Sequence, residues 1–150
     1  KSILVTPKQL QMGMANVLKN TGLQGRWQQL KEQPKVIADT AHNKNGLEIV
    51  MRQIQKEKFD QLHLVLGVVN DKDLKEVLPL FPKNAIYYFC KPNIPRGLEA
   101  VTLQSEAQLF GLNGQVYSSV SEAYEAALKN AAPTDFVYVG GSTFVVAEIL

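Results

Sequence analysis

The stretch Val36-Ile37-Ala38-Asp39-Thr40-Ala41-His42-Asn43 decides how this chain is read. A short apolar run ends on the carboxylate of Asp39. Three residues later a loop presents the imidazole of His42 and the amide of Asn43, and a helix-like apolar pattern follows over 47–54. In an open α/β sheet, ligands collect at the loops beyond the carboxyl ends of the strands. Asp39, His42 and Asn43 therefore stand where chemistry can use them: Asp39 as an acceptor for a sugar hydroxyl or a metal-bound water, His42 toward an anionic ligand. An Asp at this place can also do no more than cap the following helix, and His42-Asn43 can be a plain turn. One loop alone does not separate these readings.

Upstream, Gly25-Arg26-Trp27-Gln28 offers a guanidinium whose planar fork suits phosphate or carboxylate, next to a glycine that lets the backbone approach closely. A solvated surface Arg needs no such purpose. The pattern predicts a short strand over 27–30, a turn at 31–34 and a strand over 35–39, close enough for an antiparallel hairpin. Before it, Thr6 and Pro7 open a helix as cap and first residue, with Leu10, Met14, Val17 and Leu18 at helical spacing and Gly22 as its stop. Downstream the chain alternates: helix 45–56, strand 62–68, helix 72–80, strand 85–90, helix 98–110, strand 115–117, helix 121–129 capped by Ser121, strand 136–139, and a last helix from 142. Apolar strands separated by amphipathic helices predict a doubly wound α/β domain, its sheet mostly parallel with one antiparallel strand and helices on both faces.

Composition agrees with one soluble domain. The chain has 150 residues, 45% of them hydrophobic and 20% charged, with a net charge of +2. No Lys/Arg stripe argues for a nucleic-acid partner, and no apolar run approaches the roughly 20 residues that span a bilayer. The single cysteine, Cys90, excludes an internal disulfide and a cysteine-based zinc site, and no metal-ligand set is read from the sequence. Cys90 lies in the apolar run 85–90, as a small buried hydrophobe would. These features point to a reducing, cytoplasmic setting. The opening Lys1-Ser2-Ile3-Leu4-Val5 reads as the interior of a longer protein.

Three more strand ends carry polar groups. Gly67-Val68-Val69-Asn70-Asp71-Lys72-Asp73 brings a Lys and two carboxylates, Pro95-Arg96-Gly97 one more loop cation, and Gly140-Gly141-Ser142-Thr143 two glycines and two hydroxyls before a helix. Helix caps explain Asp71, Asp73 and Ser142 equally well. His63, inside an apolar strand, is expected in the core or at an edge. The chain contains no GxGxxG, no GxxxxGK[ST] and no nucleophile elbow. The convergence of several polar loops on one expected sheet edge indicates an anion site without saying which anion.

In this order, Gly25-Arg26-Trp27-Gln28, Asp39-Thr40-Ala41-His42-Asn43, Asp71-Lys72-Asp73, Pro95-Arg96, and Gly141-Ser142 with Val146-Ala147-Glu148, the chain resembles the C-terminal domain of folylpolyglutamate synthase/dihydrofolate synthase, within the Mur ligase superfamily. Lys44 stands where that family often has Pro. The resemblance implies a Rossmann-like C-terminal domain and ATP-dependent amide ligation through an acyl phosphate, with glutamate joined to a folate. It implies ATP and Mg²⁺ as cofactors. Arg26 and Asp39 would meet the nucleotide. His42, Asn43, Lys72 and Ser142 would meet glutamate, with His42 and Lys72 in catalytic roles. The metal ligands and the phosphate-binding loop would lie in an N-terminal P-loop domain. The fragment alone is expected to be inactive and the whole enzyme a cytoplasmic monomer. A Mur-type ligase acting on a cell-wall precursor and a free-standing flavodoxin-like binding domain are the alternatives.

Overall fold

A computed structural model of the chain describes residues 6–15, 24–70 and 73–150. Helix α1 (Pro7–Ala15) starts as the sequence predicts. The Thr6 hydroxyl accepts from the Gln9 N–H at 3.2 Å, and the Gln9 side chain accepts from the Thr6 N–H at 2.9 Å, a reciprocal capping box. The expected stripe of Leu10, Met14, Val17 and Leu18 and the stop at Gly22 fall outside the described side chains, as do Asp71 and Lys72.

The remaining elements are β1 (Gln28–Lys31), β2 (Lys35–Ala38), α2 (Lys44–Gln55), β3 (Leu62–Leu66), α3 (Leu74–Val77) with a 3₁₀ turn Leu78–Leu80, β4 (Ala85–Phe89), α4 (Ala100–Gln108), β5 (Gly114–Val116), α5 (Val120–Asn130), β6 (Phe136–Gly140) and α6 (Thr143–Ala147). The six strands form one sheet in the order β1-β2-β6-β3-β4-β5. Only the β1–β2 pair is antiparallel.

This order places the helices. The chain moves one way across the sheet from β2 through β3 and β4 to β5, then returns to β6 between β2 and β3. Right-handed crossovers put helices of the outward path on one face and the helix of the return on the other. The core divides accordingly. Leu47, Val50, Met51 and Ile54 of α2 and Leu103 and Ala107 of α4 pack with Ile37, Leu64 and Tyr138. Val120, Ala123 and Ala127 of α5 pack with Val36, Val65 and Val137 on the other side. The four buried α2 positions recur at helical spacing, and each contributes on the order of 1.5–3 kcal/mol by leaving water.

Two local expectations are corrected. Helix α5 is capped by Ser119, not Ser121: the Ser119 hydroxyl accepts from the Glu122 N–H at 3.1 Å, and Glu122 accepts from the Ser118 N–H at 2.8 Å. The true Ser-x-x-Glu spacing begins two residues earlier than the sequence reading placed it. The helix expected over 72–80 is one short α-helical turn that tightens to 3₁₀ at Leu78–Leu80, where Pro79 withholds an N–H.

His63 is buried, as expected, but in a polar cluster near the amino ends of the strands. Its Nδ1 lies 2.9 Å from the Tyr88 hydroxyl and its Nε2 3.0 Å from Asp135 Oδ2.

Candidate functional site

Adjacent strands β2, β6 and β3 release their chains toward opposite faces at their carboxyl ends, so a crevice opens between the departing loops. The polar strand ends meet there. β1 contributes although it follows, rather than precedes, its polar segment. Because it runs antiparallel to β2, with Gln28 opposite Ala38, its amino end carries Gly25-Arg26-Trp27 to the same rim.

Asp39 organises this rim. It is 7% exposed, and both its oxygens accept backbone N–H groups, Oδ2 from Trp27 and Oδ1 from Ala41, each at 2.7 Å. One carboxylate thus ties the Arg26 segment to the His42 segment. The Thr40 N–H donates to the Gly25 carbonyl at 2.7 Å. Gly25 has φ +78°, and a Cβ there would sit 2.7 Å from Thr40 Cγ2, so the position requires glycine. Beneath this loop Tyr138 is fully buried. A Cβ on Gly140 would meet its hydroxyl at 2.5 Å and the Asp39 carbonyl at 2.8 Å. Burial, reinforced by the Asp39 charge, pushes the Tyr138 phenol well above its ordinary value and keeps it neutral. Its hydroxyl finds no hydrogen-bond partner among the described residues.

Asn43 caps α2, its side-chain oxygen accepting from the Gly46 N–H at 2.8 Å. Lys44 occupies the first helical position, where Pro is favoured but not required because that N–H has no partner within the helix. The His42 Nδ1 lies 3.1 Å from the Thr40 carbonyl. A carbonyl only accepts, so Nδ1 carries the proton, and in the neutral ring Nε2 is the acceptor. At the end of β6, Gly141 turns with φ +95° and leaves Ser142 to cap α6, its hydroxyl accepting from the Phe144 N–H at 3.2 Å. The loop after β4 is pinned to the loop after β3 by Leu98 N–H to Val68 carbonyl at 2.9 Å and Asn70 N–H to Arg96 carbonyl at 2.8 Å. This places the Arg96 guanidinium carbon 5.2 Å from the centre of the Phe144 ring, a cation–π distance.

Two clefts result. One, of about 270 Å³, is lined by Arg26, Asp39, His42, Asn43 and Thr143 among others. The second, of about 340 Å³, is lined by His42, Val69, Arg96, Ser142, Thr143 and Phe144. His42 and Thr143 belong to both, so the clefts adjoin. Arg26, Asp39, His42, Asn43 and Ser142 are therefore brought together, while Lys72 lies outside the described residues. Asp39 and Ser142 are buried and shape the loops; Arg26, His42 and Arg96 are exposed and face outward. Arg96 and Phe144 are the residues that sequence reasoning underused. Arg96 is legible only as a loop cation until the parallel pairing of β3 and β4 puts its loop on the shared rim.

Arg26, His42 and Arg96 thus stand on neighbouring loops at the switch point of a mostly parallel sheet, the place where an open α/β domain collects ligands. Residues 25–143 match the family described as "Mur ligase, glutamate ligase domain", and the chain belongs to that family. This membership sets aside the flavodoxin-like alternative. The chain is 35% identical over 134 residues to a probable bifunctional folylpolyglutamate synthase/dihydropteroate synthase of Haloferax volcanii, covering 87% of this chain and 16% of that protein. Its fold is similar to E. coli FolC solved in complex with DHPP and ADP, with a TM-score of 0.84 at 30% identity over 99% of this chain and 34% of that one. It is also similar to a bifunctional folylpolyglutamate synthase/dihydrofolate synthase with Mn, AMPPNP and L-glutamate bound, with a TM-score of 0.81 at 25% identity over 99% and 35% of the two chains. The chain thus spans between 16% and 35% of the length of these proteins.

Proposed function

We propose that this chain is the single C-terminal domain of an ATP-dependent amide ligase that joins glutamate to the carboxyl group of a folate or dihydropteroate. The observation that carries this reading is the meeting of Arg26, His42, Arg96 and Ser142 along two adjoining clefts. It is supported by relatives solved with ADP, AMPPNP and L-glutamate.

A carboxylate is a poor electrophile. Attack of a folate carboxylate oxygen on the γ-phosphorus of ATP forms an acyl phosphate and releases ADP. The glutamate amine then adds to the acyl carbon, and collapse of the tetrahedral adduct forms the amide, expels inorganic phosphate and releases a proton. Negative charge builds on phosphate oxygens as the acyl phosphate forms, and in the second step it passes through the oxyanion of the tetrahedral adduct to the departing phosphate, so a guanidinium contributes most where the phosphate charge is concentrated. Arg26 takes this role in the cleft that Asp39 shapes for the nucleotide, and Asn43, beside His42 on the same loop, stays assigned to glutamate. In the neighbouring cleft Ser142 and Arg96 hold glutamate, Arg96 through a carboxylate. His42, on the boundary, has in its neutral form the acceptor Nε2 needed to take a proton from the amine. Lys72 is assigned to glutamate and to catalysis in the same reading.

A divalent cation, Mg²⁺ in this reading, would accompany ATP and neutralise phosphate charge when bound. Among the described residues no group of three or more His, Cys, Asp or Glu side chains could hold a metal ion, and Asp39 already serves two backbone N–H groups. Its protein ligands, like the phosphate-binding loop, are assigned to an N-terminal P-loop domain that closes on this one, so the 150 residues alone would not ligate. The intact ligase is read as a cytoplasmic monomer without nucleic-acid or membrane partners. No helix among the described residues is long and apolar enough to cross a membrane.

The test is ADP release by the intact protein. Turnover should require glutamate together with a folate or dihydropteroate. Turnover only with UDP-linked cell-wall precursors would replace this substrate assignment with the other branch of the family.

A further inference from the structure

We propose that Gln28 is a positioning residue for Arg26, an inference that rests on the phosphate-binding role given to Arg26 above. Arg26 is exposed and sits between two residues with left-handed backbone, Gly25 at φ +78° and Trp27 at φ +42°. Glycine adopts that region freely, whereas tryptophan is strained there. Such a turn keeps one shape only if its surroundings over-determine it. Three bonds of 2.7 Å do so. The Gly25 carbonyl accepts from the Thr40 N–H, the Trp27 N–H donates to Asp39 Oδ2, and the Gly25 N–H donates to Gln28 Oε1.

The first two bonds tie the turn to the sheet. The third closes it on itself: the Gln28 side chain reaches back three residues and rings the arginine. Gln28 is the first residue of β1, paired opposite Ala38, and strand pairing alone gives its side chain no reason to fold backward. Without that bond the Gly25 N–H loses its acceptor and the turn can open around Arg26 while the sheet stays intact. The guanidinium would then be in place only part of the time. Activity falls in proportion to the correctly placed fraction, and the loss of one such bond corresponds to about a 3- to 10-fold decrease.

The experiment uses the intact ligase with Gln28→Leu, Gln28→Glu, Arg26→Ala and the Gln28→Leu/Arg26→Ala double variant. It measures kcat and KM for ATP, the melting temperature and the hydrogen-exchange protection of the Gly25 amide. Gln28→Leu should lower kcat/KM by about 3- to 10-fold with the melting temperature nearly unchanged, and Gly25 should lose protection. Gln28→Glu, which keeps an acceptor oxygen at the same reach, should restore both. In the Arg26→Ala background Gln28→Leu should have no further effect, because a residue that acts through Arg26 has nothing left to place. An equal loss in both backgrounds, or no loss in the wild type, overturns the proposal while Arg26 keeps its role. Full activity of Arg26→Ala overturns the role of Arg26 itself, and the proposal with it.

Discussion

Replacing Asp39 by Ala removes the acceptor of two backbone N–H groups at once, those of Trp27 and Ala41, each bonded at 2.7 Å. Hydrogen bonds to a charged, buried acceptor contribute about 1.5–3 kcal/mol apiece, so the gross loss is about 3–6 kcal/mol. Trp27 is then released from its left-handed backbone, which returns about 1–2 kcal/mol. The net destabilisation expected is about 1–5 kcal/mol, a large share of the roughly 5–15 kcal/mol that holds a domain of this size. Asn in place of Asp keeps one acceptor and turns an NH₂ toward the other N–H, so it should lose about half as much. Urea unfolding measures this directly. Trp27 is the only tryptophan, and its ring centre lies 6.3 Å from that of Phe136, so its fluorescence reports on the clasp as well as on global unfolding. A loss below about 0.5 kcal/mol for Asp39→Ala, the range of an ordinary surface substitution, would refute the claim that Asp39 ties the two loops together.

Burial of Cys90, aided by the charge of Glu148, pushes its thiol up to about 12; an alkylating reagent at pH 8 should leave it unmodified in the native protein and label it on unfolding, and rapid native labelling would contradict that. Burial alone would raise the Asp135 carboxyl, but the N–H of Ala132, His63 and the N–H of Gln61 hold it below its ordinary value. The stability it contributes is therefore present above the ordinary carboxylate range and is lost as pH falls through its lowered native value; Asp135→Asn should flatten the acid side of a urea-midpoint against pH curve, and an unchanged slope would show that this carboxylate is not involved. Tyr138→Phe removes a buried hydroxyl that bonds to nothing among the described residues, so the melting temperature should stay level or rise, and a loss of more than about 1 kcal/mol would mean that the hydroxyl has a partner.

The alternation of apolar strands with amphipathic segments was enough to read the sheet, its single antiparallel strand and the loop positions of Arg26, His42 and Ser142. These features follow from local periodicity and from the β1–β2 turn, both written in neighbouring residues. Three things were not legible. The place of β6 between β2 and β3 is a long-range choice, and it makes the crevice. Asp39 reads from sequence as a ligand contact or a cap, because its actual acceptance from Trp27 lies twelve residues away across an antiparallel pair. His63 and Asp135 are 72 positions apart, and no local pattern announces their contact. The Ser119 cap, by contrast, was present in the sequence as Ser-x-x-Glu and was misread by two residues.

The most direct test is a structure of the intact ligase with a non-hydrolysable ATP analogue, Mg²⁺ and glutamate. The Arg26 guanidinium should lie within about 3 Å of a phosphate oxygen, with glutamate seated between His42, Arg96 and Ser142. A nucleotide and amino acid bound away from this rim, with the two clefts facing solvent, would contradict it.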